Sequence, residues 1–201
     1  MEALLILVIV ASLLAIGYAA FNFASVKRLD EGTDRMKDIA SAIRVGANAF
    51  IEYEYKIIAV VVAVIAVIFM IIFTIQYKAF SWEPSVCFII GVVMSALAGY
   101  VGMKIATYSN VRVSNTARQT KDIGKTLKVA LKGLCVGGFA LLGLFLVYLI
   151  FGYGLGHIKT ESLIEGQHVF TQCLSCYALG CSIVAMFNRV GGGIYTKAAD
   201  M

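Results

Sequence analysis

The stretch IIAVVVAVIAVIFMIIFTIQY, residues 57–77, contains no Asp, Glu, Lys or Arg over its whole length. About 20 helical residues cross a hydrocarbon core that is about 30 Å thick. Lipid offers no hydrogen-bond partner to an exposed backbone, so a spanning segment must satisfy its own N–H and C=O groups by forming a helix. The stretch therefore predicts a membrane-spanning helix.

Four further segments of the 201-residue chain also lack acidic and basic residues and are long enough to cross: 3–26, 86–103, 133–156 and 166–188. Hydrophobic residues make up 60% of the chain and charged residues 14%, which is outside the usual balance of a soluble domain. A membrane barrel would instead show alternating segments of about ten residues. The sequence predicts an all-α polytopic membrane protein of one domain. Its helices are expected at about 3–26, 33–77, 84–107, 127–153 and 166–200.

Residues 33–56 extend the second helix beyond its apolar part. Apolar side chains recur there at helical spacing, with charged residues on the other side. They are Met36, Ile39, Ala40, Ile43, Ala47, Phe50 and Ile51. We expect a cytoplasmic extension whose arginines and aspartates form a solvated face.

The 17 basic residues are unevenly distributed among the connections. Six lie in residues 27–56, seven in 104–132 and two after the fifth span, whereas Lys78 and Lys159 lie on the other side. The positive-inside rule then places the N-terminus outside and the C-terminal end in the cytoplasm. The basic face also suits contact with anionic lipid. Nucleic acid is not an expected partner, because no aromatic-interleaved patch accompanies the charges.

Small and sulfur-containing residues in the spans predict helix packing. Ser95 with Gly99 and Ala98 with Gly102 are small residues four apart, a spacing that lets a neighbouring helix approach closely. Cys173 and Cys176 have the CxxC spacing of some metal and redox sites. They lie in an uncharged span without a second pair, so we expect them to pack as small apolar residues.

The string RVGGGIYTKAAD, residues 189–200, follows the fifth span. It is not a phosphate-binding P-loop, because Thr196 precedes Lys197 and Ala198 follows it. If the helix continues, Arg189, Gly193, Lys197 and Asp200 share one face at spacings of four, four and three. Two cations and a carboxylate suit a phosphate site with a metal ion. The spacing fits equally well with charges that only mark the membrane boundary.

Three strings resemble the membrane-bound, ion-pumping pyrophosphatases, in the order that the family has them. The string 189–200 is similar to that family's fifth-helix signature. EGTDRMKDIASAIRVGANAFIEYEYK, residues 31–56, resembles its first cytoplasmic segment. SALAGYVGMKIATYSNVRVSNTAR, residues 95–118, resembles its third helix and the loop that follows. The resemblance covers nearly the whole chain.

The resemblance implies a homodimeric pump of sixteen helices per subunit in two rings, which couples hydrolysis of cytoplasmic Mg²⁺-pyrophosphate to export of H⁺ or Na⁺, with a possible K⁺ requirement. It implies that Lys197 binds pyrophosphate, that Asp200 binds Mg²⁺, and that Arg189 lies at the junction with the ion gate. Gly191, Gly192 and Gly193 are expected to open the helix surface.

The resemblance also implies that residues 1–201 are the N-terminal part of one membrane domain, cut after Met201, and that this part alone is inactive. The alternative is a self-contained five-helix membrane scaffold or partner-binding protein without catalysis. Ion selectivity, K⁺ dependence, the remaining metal ligands and the dimer interface depend on segments that this sequence does not contain.

Overall fold

The computed structural model describes residues 2–77, 82–132, 149–150 and 163–200. Its helices are α1 Glu2–Lys27, α2 Asp34–Tyr77, α3 Glu83–Thr120, α4 Ile123–Lys132 and α5 Leu163–Asp200. Of these, α1, α2, α3 and α5 are long and apolar enough to cross a membrane. The predicted all-α membrane fold is confirmed for these ranges. The predicted fourth span, 133–156, lies outside the described residues apart from 149–150.

Helix α2 has 44 residues, which corresponds to about 66 Å at a rise of about 1.5 Å per residue. It is therefore longer than the hydrocarbon core is thick. One stripe runs along it at steps of seven and four and is buried: Ala40, Ala47, Ile51, Ile58 and Val62. Ile65, Phe69 and Phe73 continue this side of the helix as partly buried residues. The other sides of the apolar part are exposed, for example at Val60, Val64 and Val67, as expected of a surface that faces lipid or further helices.

Helix α3 is the central element, because it packs against each of the other four helices. Its residues Phe88 and Val92 form a core cluster with residues of α2 and α5, among them Val62 and Val184. The rings of Phe88 and Phe69 contribute an edge-to-face contact at 5.2 Å between centroids. This cluster holds the three longest helices together.

Small residues bring α3 and α5 into backbone contact. A Cβ at Gly91 would collide with the carbonyl oxygen of Tyr177, and one at Gly180 would collide with that of Phe88. Ser95 Oγ donates to the carbonyl oxygen of Cys181 at 3.1 Å. The close helix approach predicted for Ser95 is confirmed, and its partner is α5.

Helix α3 continues past residue 107, the end predicted from the sequence, to Thr120. It continues because its last turns are also packed, with Ile105, Arg112 and Asn115 buried. The helix ends at Thr120, and the next residue, Lys121, caps it in a left-handed conformation (φ 50°) and donates its N–H to Ala117 O at 3.0 Å. Asp122 then accepts from Gly124 N at 2.8 Å and starts α4.

The α1–α2 connection is held on α3 by Arg112, whose guanidinium is almost completely buried. Its Nε donates to Leu29 O at 2.9 Å and its second terminal nitrogen donates to Lys27 O at 3.2 Å. It also lies 3.0 Å from Glu31 Oε1, and Arg44 binds the same oxygen at 2.8 Å. The solvated face predicted for the arginines of α2 is therefore wrong for Arg44, which lies in a partly buried network.

Candidate functional site on helix α5

Helix α5 runs without a break from Leu163 to Asp200, through the three consecutive glycines. All six candidate site residues therefore lie on one continuous helix. The part of α5 that precedes them is buried against α3 and α2 at Cys173, Tyr177 and Val184. This packing fixes the rotation of α5, and so decides which candidates face its neighbours.

Gly191 continues the packed face of α5. A Cβ there would collide with Glu54 Oε1 of α2 and would lie 2.6 Å from Phe50 Cζ. With the Glu54 and Phe50 side chains in their present positions, residue 191 has no room for a Cβ. Gly191 therefore has a packing role that is visible in the structure.

Arg189 lies two residues from Gly191, which is about 200° around the helix. Arg189 and Lys197 are exposed on the side away from α2 and α3. A Cβ at Gly192 or Gly193 would meet no atom within 4 Å. We call the surface formed by positions 189, 193, 197 and 200 the open face of α5.

The open face contains the two cations, separated by eight residues or about 12 Å along the axis. Asp200 is the last residue of the helix and follows Lys197 by three positions. It is the only acidic position on this face in residues 189–200. Mg²⁺ requires near-octahedral oxygen coordination, so one carboxylate from this chain does not make a complete magnesium site. Within the described residues no group of three His, Cys, Asp or Glu side chains could hold a metal ion.

Glu54 is not among the site residues predicted from the sequence. Its side chain lies between α2 and α5 and is only 9% exposed. Its Oε1 atom is buried and has no hydrogen-bond partner within the described residues. The sequence did offer a signal for Glu54, because it is an acidic residue three positions before the uncharged span 57–77. Ionisable groups in membranes are costly and are often functional.

Two polar groups next to Glu54 tie the same three helices together. Tyr55 donates its hydroxyl to Ala96 O of α3 at 2.7 Å. The amide of Asn188, one turn before Gly191, lies against Gly99 of α3. The packed side of α5 is thus polar at the level of Arg189, although it is apolar further along the span.

The cysteines of α5 lie in the helix contacts. Cys173 and Cys176 are buried free thiols in the contact with α3, where Cys87 is also buried. Cys181 Sγ donates to Gly91 O at 3.3 Å. These contacts agree with the expectation that the CxxC pair fills space in the core.

Comparison with known proteins matches residues 13–201 to the family described as inorganic H⁺ pyrophosphatase. A K(+)-stimulated pyrophosphate-energized sodium pump of Thermotoga maritima is 54% identical over 202 residues, which cover 94% of this chain and 26% of the pump. A K(+)-insensitive pyrophosphate-energized proton pump of Methanosarcina mazei is 34% identical, over 100% of this chain and 27% of the pump. The chain thus spans about a quarter of the length of these relatives.

Proposed function

The chain belongs to the inorganic H⁺ pyrophosphatase family, and from this premise we propose that it is the N-terminal part of a pyrophosphate-energised ion pump. The complete pump would couple hydrolysis of cytoplasmic Mg²⁺-pyrophosphate to export of H⁺ or Na⁺. The observation that carries this proposal is the open face of α5. It presents two exposed cations, and the helix that carries them extends to Asp200, while the opposite face is packed at Gly191.

Lys197 is the pyrophosphate-binding residue in this proposal. It lies near the end of α5, and its exposed ammonium can reach a phosphate oxygen brought by a neighbouring part of the pump. Asp200, one turn further, would supply one ligand to Mg²⁺, which screens the charge of the substrate when it is bound. The remaining magnesium ligands would come from outside this chain.

Arg189 is the coupling residue in this proposal. It is two turns deeper than Lys197, at the level where α5 enters its uncharged part. A cation at that depth is costly unless it faces an acidic partner or a water-filled path. Arg189 would therefore lie between the hydrolytic pocket and the ion path. Gly193 keeps the surface between the two cations free of a side chain.

The wider assembly follows from the same premise. The N-terminus would lie outside and the C-terminal end of α5 in the cytoplasm, as the 15 basic residues on one side favour. The chain would contribute its helices to sixteen in two rings of a homodimer in membrane lipid, with K⁺ as a possible cofactor. By itself, residues 1–201 would not hydrolyse pyrophosphate, because the open face has one acidic position.

Substitution of the two cations tests the assignment in the full-length protein, reconstituted in vesicles. Lys197→Ala should weaken pyrophosphate binding and hydrolysis together and leave the number of ions moved per pyrophosphate unchanged. Arg189→Ala should lower that ratio, since the ion path would lose its cation. Lys128→Ala, on the exposed side of α4, is the control and should change neither quantity.

Two results would contradict the proposal. If Arg189→Ala keeps the wild-type ratio while Lys197→Ala changes it, the roles are reversed. If neither substitution affects hydrolysis or transport, the open face of α5 is not the site. If the full-length protein hydrolyses no pyrophosphate, the alternative of a helical scaffold without catalysis is the better description.

A further inference from the structure

Helices α1 and α3 line a cavity of about 410 Å³, open on one side, that the proposed pump function does not use. Its walls are apolar and aromatic, with Ile16 and Phe23 from α1 and Val101 and Ile105 from α3. Two cationic residues, Lys27 and Lys104, also line it. An apolar slot with two ammonium groups is an amphipathic site.

The dimensions of the cavity fit one leaflet of a bilayer. From Ile16 to Lys27 the α1 wall is about 16 Å long at about 1.5 Å per residue. Half of a hydrocarbon core is about 15 Å. Both helices line the cavity, and they meet where the Phe23 and Tyr108 rings are 5.8 Å apart at their centroids.

Lys27 marks the polar end of the cavity. Its backbone carbonyl accepts from Arg112, so it lies at the edge of the charged network formed by Arg112, Glu31 and Arg44. Ile16, at the other end, lies within the apolar part of α1. The cavity thus runs from a charged surface into the hydrocarbon region.

The two lysines lack an anion within the described residues. The Lys27 side chain is exposed and has no hydrogen-bond or ion-pair partner there. Lys104 donates to a neutral acceptor, Asn48 Oδ1, at 2.6 Å and lies 5.4 Å from the centroid of the Tyr100 ring. Glu31, the carboxylate of the neighbouring network, is already shared by two arginines. The charge at the cavity is therefore left for a ligand.

We propose that this cavity binds an anionic phospholipid, with one acyl chain along the apolar walls and the phosphate at Lys27 and Lys104. A phosphate supplies the missing anion, and lysine side chains extend their methylenes along apolar surface while the ammonium reaches the headgroup. A zwitterionic lipid would fill the apolar walls equally well but would gain less from the two cations.

Photo-crosslinking tests the site in the full-length protein. The protein is reconstituted in vesicles of phosphatidylcholine and phosphatidylglycerol at 3:1, with a trace of a diazirine-labelled analogue of either lipid. Peptide mass spectrometry then locates the label. We expect the phosphatidylglycerol probe to label α1 and α3 at residues that line the cavity, and the phosphatidylcholine probe to label them about 25-fold less, because it lacks the net negative charge that the two lysines attract.

Two variants separate charge from shape. Lys27→Gln combined with Lys104→Gln should reduce phosphatidylglycerol labelling by about 25-fold, to the level of the phosphatidylcholine probe, since each lysine near an anionic headgroup contributes about 1 kcal/mol, a factor of about five. The change leaves the Lys27 carbonyl and its bond to Arg112 in place. Lys128→Gln, which removes an exposed lysine outside the cavity, should have no effect. Ala20→Phe should block labelling by both probes.

The proposal is overturned if the preference for phosphatidylglycerol persists in the double glutamine variant. It is also overturned if neither probe labels the cavity in the unaltered protein, because another helix of the protein would then occupy it. The thermal midpoint of each variant, measured in the same vesicles, separates loss of the lipid site from loss of the fold.

Discussion

The carboxyl group of Glu54 on α2 occupies the space that a side chain at residue 191 of α5 would need. Phe50, one turn earlier on α2, closes the same space from the other side, with its Cζ 2.6 Å from the position of a Cβ. The first glycine of the triplet is therefore a contact between helices. The second and third glycines face open space. Three identical residues in a row thus have different surroundings, because each is turned about 100° from the last.

Alanine substitutions in the glycine triplet should change stability differently at Gly191 and at Gly192. We expect Gly191→Ala to destabilise the protein by about 1–3 kcal/mol, because the new methyl group must push Glu54 or the helix aside. Gly192→Ala should be neutral or stabilising by up to about 1 kcal/mol, since alanine favours the helix and meets no atom there. Thermal unfolding in detergent compares the pair. Equal midpoints would contradict the packing role of Gly191.

Glu54 itself provides a second prediction. A buried ionised carboxylate without a partner is costly, and glutamine has nearly the same shape without the charge. We expect Glu54→Gln to retain thermal stability within about 1 kcal/mol, whereas Glu54→Lys should lower it strongly because the longer side chain also collides with α5. If Glu54→Gln instead costs about 3–5 kcal/mol, Glu54 has a cationic partner beyond the described residues, since removing one member of a buried ion pair costs that much.

The Arg112 network makes the third prediction. Arg112 is 5% exposed, contacts three backbone carbonyl oxygens and binds Glu31. Arg112→Ala should destabilise the protein by about 3–5 kcal/mol, because Glu31 and the carbonyls lose a shared donor. Arg112→Lys should not restore stability, since an ammonium cannot reproduce the planar fork of donors.

An exposed arginine is the matched control for this network. Arg35 on α2 has no hydrogen-bond or ion-pair partner within the described residues. Arg35→Ala should therefore stay within about 0.5 kcal/mol of the parent protein. Chemical unfolding curves of Arg112→Ala, Arg112→Lys and Arg35→Ala measure these changes in stability. An Arg112→Lys curve that coincides with that of the parent protein would show that the planar fork of donors is not required.

The orientation in the membrane gives a fourth prediction. Single cysteines at Lys37 and Lys121, both exposed, should be protected in intact cells from a maleimide that cannot cross the membrane. A cysteine at residue 78, in the connection between α2 and α3, should react. The unaltered protein gives the background from its own cysteines. Labelling of Lys37→Cys from outside would reverse the assigned orientation, because the basic residues would then lie on the outer side.

Several features of the chain could be read from the amino-acid sequence because they depend on local composition. A run such as 57–77 specifies a helix wherever it lies, since lipid leaves its backbone no other way to satisfy its hydrogen bonds. The all-α membrane fold and the family followed from such runs and from the signature at 189–200, and both are confirmed. The spacing of Arg189 and Lys197 also indicated a common face, whose function stays a proposal.

Which groups meet across the helices was decided only by the tertiary structure. Arg112 meets carbonyls more than 80 positions earlier in the chain, and Glu54 meets a glycine that the sequence alone assigned to an opening of the helix. Such partners depend on the rotation and depth of each helix, which Gly91, Gly180 and Ser95 fix by allowing α3 and α5 to touch at one register. A hydropathy pattern predicts the length of a membrane helix. It does not predict the rotation of the helix about its axis, because lipid solvates every apolar side of the helix alike.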